Sequence, residues 1–77
     1  MRITLKYGTG NEVVLPREYE PGSVTVGALV NNAAHRQLLG YGTNVEGWIG
    51  GVAQRDDLSL RDTCTISVND KPCGKAS

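Results

Sequence analysis

Two stretches of alternating hydrophobicity bracket a single stretch of helical spacing, and few folds accommodate that order. Near the N-terminus Ile3, Leu5 and Tyr7 share one phase, while Arg2, Thr4 and Lys6 share the other. A period of two is that of a half-buried strand. Gly8-Thr9-Gly10-Asn11 follows, rich in residues that tolerate positive φ, and predicts a hairpin turn. Glu12-Val13-Val14-Leu15 reads as the returning strand. Pro16 has no N–H to give to a ladder and is expected to end it.

The period then lengthens. Val26, Leu29, Val30, Ala33 and then Gln37 or Leu38 recur near helical spacing. Thr25 suits the N-cap, with Ser23 as the alternative. Arg36 falls late, where a cation complements the helix dipole, and Gly40 fits a left-handed C-cap. The pattern predicts one amphipathic helix over about 26–39, which Gly27 weakens by about 1 kcal/mol relative to Ala.

After a loop at Tyr41-Gly42-Thr43-Asn44, Val45 to Ile49 reads as a strand. Val45 and Ile49 share one phase, Glu46 and Trp48 the other, and Gly50-Gly51 breaks the run. Val52 to Asp57 is a polar connection, and Leu58-Ser59-Leu60 a short edge piece. From Thr63 to Val68 the alternation returns, with Cys64, Ile66 and Val68 inward and Thr65 and Ser67 outward. Asn69 to Ser77 reads as a loose tail. The order of hairpin, helix, strand, short piece and strand predicts a two-layer α+β domain over 1–68, followed by the tail 69–77.

Size and charge narrow the function. At 77 residues the chain is one domain. A domain so small buries only about 60% of its unfolded surface, which leaves little room for a deep catalytic cleft. Activity through a surface is therefore expected, with no catalytic residue, cofactor or metal. Eight basic and eight acidic residues are interspersed without a basic stripe, which argues against nucleic acid as the partner. No apolar run approaches the roughly 20 residues that span a bilayer, and the N-terminus lacks a signal-peptide core. A cytoplasmic setting is expected, in which Cys64 and Cys73 remain thiols.

Local phrases sharpen the fold. Thr25-Val26-Gly27-Ala28-Leu29-Val30 resembles the "TVGDLL" helix start of the β-grasp sulfur carriers, which are ubiquitin relatives serving molybdopterin and thiamine synthesis. Leu60-Arg61-Asp62-Thr63-Cys64-Thr65-Ile66-Ser67-Val68 resembles their last-strand phrase "LxDGDxVxI", and Ile49-Gly50-Gly51-Val52 stands where they carry "VNG". The resemblance covers 1–68 and implies a ubiquitin-like β-grasp domain: a hairpin, a helix, then two or three further strands. It stops at the tail. Sulfur carriers and ubiquitin end in a free Gly-Gly whose carboxylate is adenylated, whereas this chain ends Lys71-Pro72-Cys73-Gly74-Lys75-Ala76-Ser77. The fold and the habit of binding protein partners carry over; the conjugation chemistry does not.

Candidate residues follow from phase. If Val45 and Ile49 face the helix, Trp48 faces the open side of the sheet, where ubiquitin relatives tend to bind. Val14, Lys6, Thr4, Thr65 and Ser67 are expected around it. The competing arrangement slots Trp48 into the core through a bulge at the neighbouring glycines. Cys64 is expected to pack as a small hydrophobe, and His35 to lie on the helix surface. Asp56, Asp57 and Asp62 lack the ordered spacing of a calcium loop.

The expected function is thus a protein–protein interaction module: an adaptor, an inhibitor or the small subunit of a complex. The alternative is a sulfur carrier or protein modifier whose tail, with Cys73 and Gly74, is processed. That alternative requires removal of Lys75-Ala76-Ser77, so the intact mass of protein from its native cells separates the two. The binding-module reading expects a mass ending at Ser77; a mass ending at Gly74, or one carrying an extra sulfur, would favour the carrier.

Overall fold

A computed structural model of the chain describes residues 1–71. Its elements are β1 (Arg2–Tyr7), β2 (Asn11–Glu18), α1 (Val26–Val30), α2 (Ala33–Leu39), β3 (Val45–Ile49), β4 (Val52–Ala53) and β5 (Cys64–Asp70). The strands form one mixed sheet in the order β2-β1-β5-β3-β4. β1 and β5 run parallel at its centre, and the other pairings are antiparallel. The expected α+β layering is present, with the helical segment crossing over between the hairpin and the later strands.

The inward phases meet as the alternation requires. Ile3 and Leu5 from β1 and Ile66 and Val68 from β5 are buried against Val26, Leu29 and Val30 of α1. Leu15, Leu39, Tyr41, Val45 and Leu60 close the core around them. Cys64 and Ile49 are partly buried against the same cluster. No described helix is long and apolar enough to cross a membrane.

The single helix expected over 26–39 is two helices, broken at Asn31-Asn32. Asparagine competes with the helical ladder through its own side chain, and it is a strong N-cap. Asn32 Oδ1 accepts from Ala34 N–H at 2.9 Å and starts α2 afresh. The break resets the phase. Leu39 is buried, with His35 and Arg36 partly so, while Ala33 and Leu38 are exposed. The end of α1 is satisfied by side chains. His35 Nδ1 donates to the Leu29 carbonyl at 2.7 Å, Arg36 Nη1 to that of Asn31 at 2.8 Å, and the Tyr41 hydroxyl to that of Val30 at 2.7 Å. Burial pushes the Tyr41 phenol pKa up. Both outer caps are the expected ones: Thr25 Oγ1 accepts from Ala28 N–H, and Gly40 ends α2 at φ 82°.

Four further expectations are corrected. β2 continues through Pro16 to Glu18. It is an edge strand, and between the pairs Arg2↔Glu18 and Thr4↔Val14 β1 advances two residues while β2 advances four. Pro16 lies in that irregularity, where no ladder N–H is demanded. Val52–Ala53 is a strand, turned back on β3 by Gly50 (φ 61°) and Gly51 (φ 80°), a pair of left-handed residues that suits a two-residue hairpin. Leu58-Ser59-Leu60 is no sheet edge; the segment runs beside the start of α1. Val26 N–H donates to the Leu58 carbonyl at 3.0 Å and Gly27 N–H to that of Asp56 at 2.9 Å, satisfying donors that a helix start leaves without partners. β5 also extends beyond Val68 to Asp70, because Asn69 and Asp70 pair with Glu46 and Val45.

The same segment reverses the cost assigned to Gly27. A Cβ there would meet Asp56 Cβ at 2.7 Å, so close packing, not helix propensity, decides the residue. Gly47 is tighter still: a Cβ would lie 2.6 Å from Val26 Cγ1, 3.0 Å from Ile66 Cγ2 and 3.2 Å from Val30 Cγ2. Gly47→Ala is therefore expected to destabilise the domain by about 1–3 kcal/mol through overpacking, read as a lower midpoint in urea unfolding. An unchanged midpoint would mean that α1 does not press on β3 this closely.

Candidate functional site

Pairing places cross-strand neighbours on the same side of a sheet. On the side away from the core, one row crosses all five strands. Glu12 pairs with Lys6, Lys6 with Ser67, Ser67 with Trp48, and Trp48 with Ala53. A second row joins Val14, Thr4 and Thr65. Lys6, Val14 and Thr65 are exposed, and Thr4, Ser67 and Trp48 partly so.

Trp48 owes its side of the sheet to Gly47. The inward position between Val45 and Ile49 has no room for a side chain, so α1 sits on bare backbone there and the indole projects the other way. Trp48 Nε1 donates to Glu46 Oε2 at 2.9 Å, which holds the ring against its own strand. The competing expectation, a tryptophan in the core, is overturned: Val45 is 3% exposed and belongs to the core cluster, and Trp48 does not.

Beside the indole lies an open hollow of about 300 Å³. Lys6, Trp48, Ser67 and Asn69 line it, with Gly8 and Gly51 at the two hairpin turns. Of the residues expected around Trp48, the structure gathers Lys6 and Ser67 into the hollow. Val14 and Thr65 stand in the neighbouring row and do not line it. Asn69 was missed. It continues the outward phase of Thr65 and Ser67, but its polarity and the Pro and Gly beyond it read as tail.

Elsewhere the described residues offer little chemistry. The Tyr7 hydroxyl donates toward the Asp70 carboxylate at 3.4 Å, and the Asp70 charge, then partial burial, raises the phenol pKa. Asp57 pairs with Arg55 at 3.3 Å, and Asp56 packs against Gly27. Among the described residues no three His, Cys, Asp or Glu side chains gather as a metal would need. His35 is engaged with the Leu29 carbonyl. Cys73 and Gly74, on which the carrier alternative turns, lie outside the described residues.

Comparison with protein-family models and with curated protein sequences finds no match.

Cys64 is the described thiol, and burial, followed by the Asp62 charge, pushes its pKa up. The thiolate is the reactive form, so a raised pKa means less of it at neutral pH. Peptide mapping after iodoacetamide treatment is expected to show slower alkylation of Cys64 in the folded protein than in the denatured chain. Equal rates in the two states would contradict the packing assigned to it.

Proposed function

We propose that the chain is a ubiquitin-like β-grasp module that docks another protein through its open sheet face, with Trp48 as the anchor. It acts by binding, as an adaptor, an inhibitor or the small subunit of a larger assembly, and needs no cofactor of its own. The hairpin, the helical crossover and the last strand returning parallel beside the first support the β-grasp reading. The observation that carries the docking reading is the tryptophan itself. A large aromatic sits outside the core, on a sheet face that no other element among the described residues covers, beside a hollow. Tryptophan is enriched among the few residues that dominate interface energies.

A standard interface takes about 800 Å² from each partner, roughly a sixth of this domain's 4692 Å² surface. Lys6 and Glu12 on one flank and Glu46 on the other give the anchor a charged surround, which orients a partner more than it tightens the complex.

Cross-linking of tagged protein in its native cells, with wild type and Trp48→Ala in parallel, tests the reading. The variant is expected to keep its circular dichroism spectrum and to lose the wild-type partner, since removing an interface anchor costs about 2 kcal/mol or more. Retention of the same partner by Trp48→Ala would sink the proposal. So would collapse of its fold, which would make the indole a core residue.

A further inference from the structure

The hollow beside Trp48 has a chemical bias that its position alone does not explain. Lys6 is the one charged residue lining it, and an ammonium group is a donor without acceptor capacity. Ser67 and Asn69 add a hydroxyl and an amide, both able to donate, on the same side. No carboxylate lines the space. The two acidic residues on the neighbouring strand positions, Glu46 opposite Asn69 and Glu12 opposite Lys6, stand outside the lining. Glu46 is turned onto the Trp48 indole N–H at 2.9 Å. Glu12 stands opposite Lys6 on the edge strand outside the lining, and no ion pair forms between them. The ion pairs among the described residues are Arg2–Glu18 and Arg55–Asp57, so neither engages Lys6.

Size limits the occupant. About 300 Å³ lies at the lower bound of small-molecule pockets, which suits one or two side chains better than a cofactor. One wall is the indole, an apolar surface, and the rim at Gly8 and Gly51 carries no side chains to obstruct an approaching backbone.

Resting on the docking reading above, we infer that the partner inserts an acidic side chain, Asp or Glu flanked by an apolar residue, into this hollow. The carboxylate meets the Lys6 ammonium and the Ser67 and Asn69 donors, and the flanking apolar residue packs on Trp48. The hollow thereby selects an acidic-apolar segment over a basic one.

The test uses full-length ¹⁵N-labelled protein and three blocked peptides: Ac-Gly-Leu-Asp-Leu-Gly-NH₂ and its counterparts with Asn or Lys at the central position. The Asp peptide is expected to give saturable shifts of the Trp48 indole N–H and of the Lys6, Ser67 and Asn69 amides. Its binding is expected to weaken about five-fold in Lys6→Gln, the scale of one exposed charge pair, and to weaken further as salt is raised. Lys6 is exposed on its strand, so this variant keeps the fold, and its unperturbed spectrum verifies that. Equal binding of the three peptides, unchanged binding by Lys6→Gln, or no saturable shift at these residues overturns the inference. The cross-linking experiment separates the two levels. A partner lost by Trp48→Ala but held unchanged by Lys6→Gln removes the acidic-segment inference and leaves the docking reading standing. A partner held by Trp48→Ala removes the docking reading itself.

Discussion

The close approach of α1 to β3 at Gly47 is the contact on which the rest of the structure depends. Val26, Val30 and Ile66 all converge on the space where a side chain would begin. With that space empty, the first helix lies directly on sheet backbone, and the apolar side chains of β1 and β5 are sealed from water beneath it. The same geometry assigns faces. One residue later, the largest side chain in the domain has no place on the helix side and projects to the open one. Core packing and the candidate binding surface are thus two consequences of one missing Cβ.

Keeping α1 so close leaves its ends to be satisfied by other parts of the chain. At five residues the helix could not persist in water alone, because nucleation costs more than one turn returns. Its N-terminal donors are met by carbonyls of 56–58 and by Thr25. Its C-terminal carbonyls are met by His35, Arg36 and Tyr41. Of these bonds the one from Tyr41 to the Val30 carbonyl is buried, so loss of that hydroxyl would strand a polar group at about 1–3 kcal/mol, a large share of what so small a domain has. This gives His35, Arg36 and Tyr41 a structural task, since each turns its side chain back onto a carbonyl at the end of α1. It also explains why the polar connection before β5 is ordered: it caps a helix.

The open face is built on different terms. Its residues are set by pairing register and not by burial, so they carry polarity without upsetting the core. Lys6, Ser67 and Trp48 are distant in sequence and adjacent in space only because β1 and β5 run parallel and β3 returns antiparallel beside them. A shift of one residue in either pairing would turn the same side chains to the core. The core alternation of Ile3, Leu5, Ile66 and Val68 therefore protects the surface row as much as it does the interior.

What the sequence determined by itself was local: the two alternating strands, the turns, and the Thr25 and Gly40 caps, whereas the side taken by Trp48 stayed open until α1 closed on Gly47. Each local feature follows from side-chain periodicity or from backbone preferences that act within a few residues. The tertiary structure decided what depends on distant neighbours. A run of apolar residues at helical spacing does not reveal that Asn31-Asn32 interrupts it, because Tyr41, His35 and Arg36 supply the partners that make the break affordable. Gly27 looked like a weakness in a helix until Asp56 occupied the space beside it. Pro16 looked like a strand end until the strand proved to be an edge. The hollow, with Asn69 completing it, arises only when strand order brings separate segments within a few ångströms. Periodicity reports which way a side chain points; only the assembled sheet determines what stands next to it.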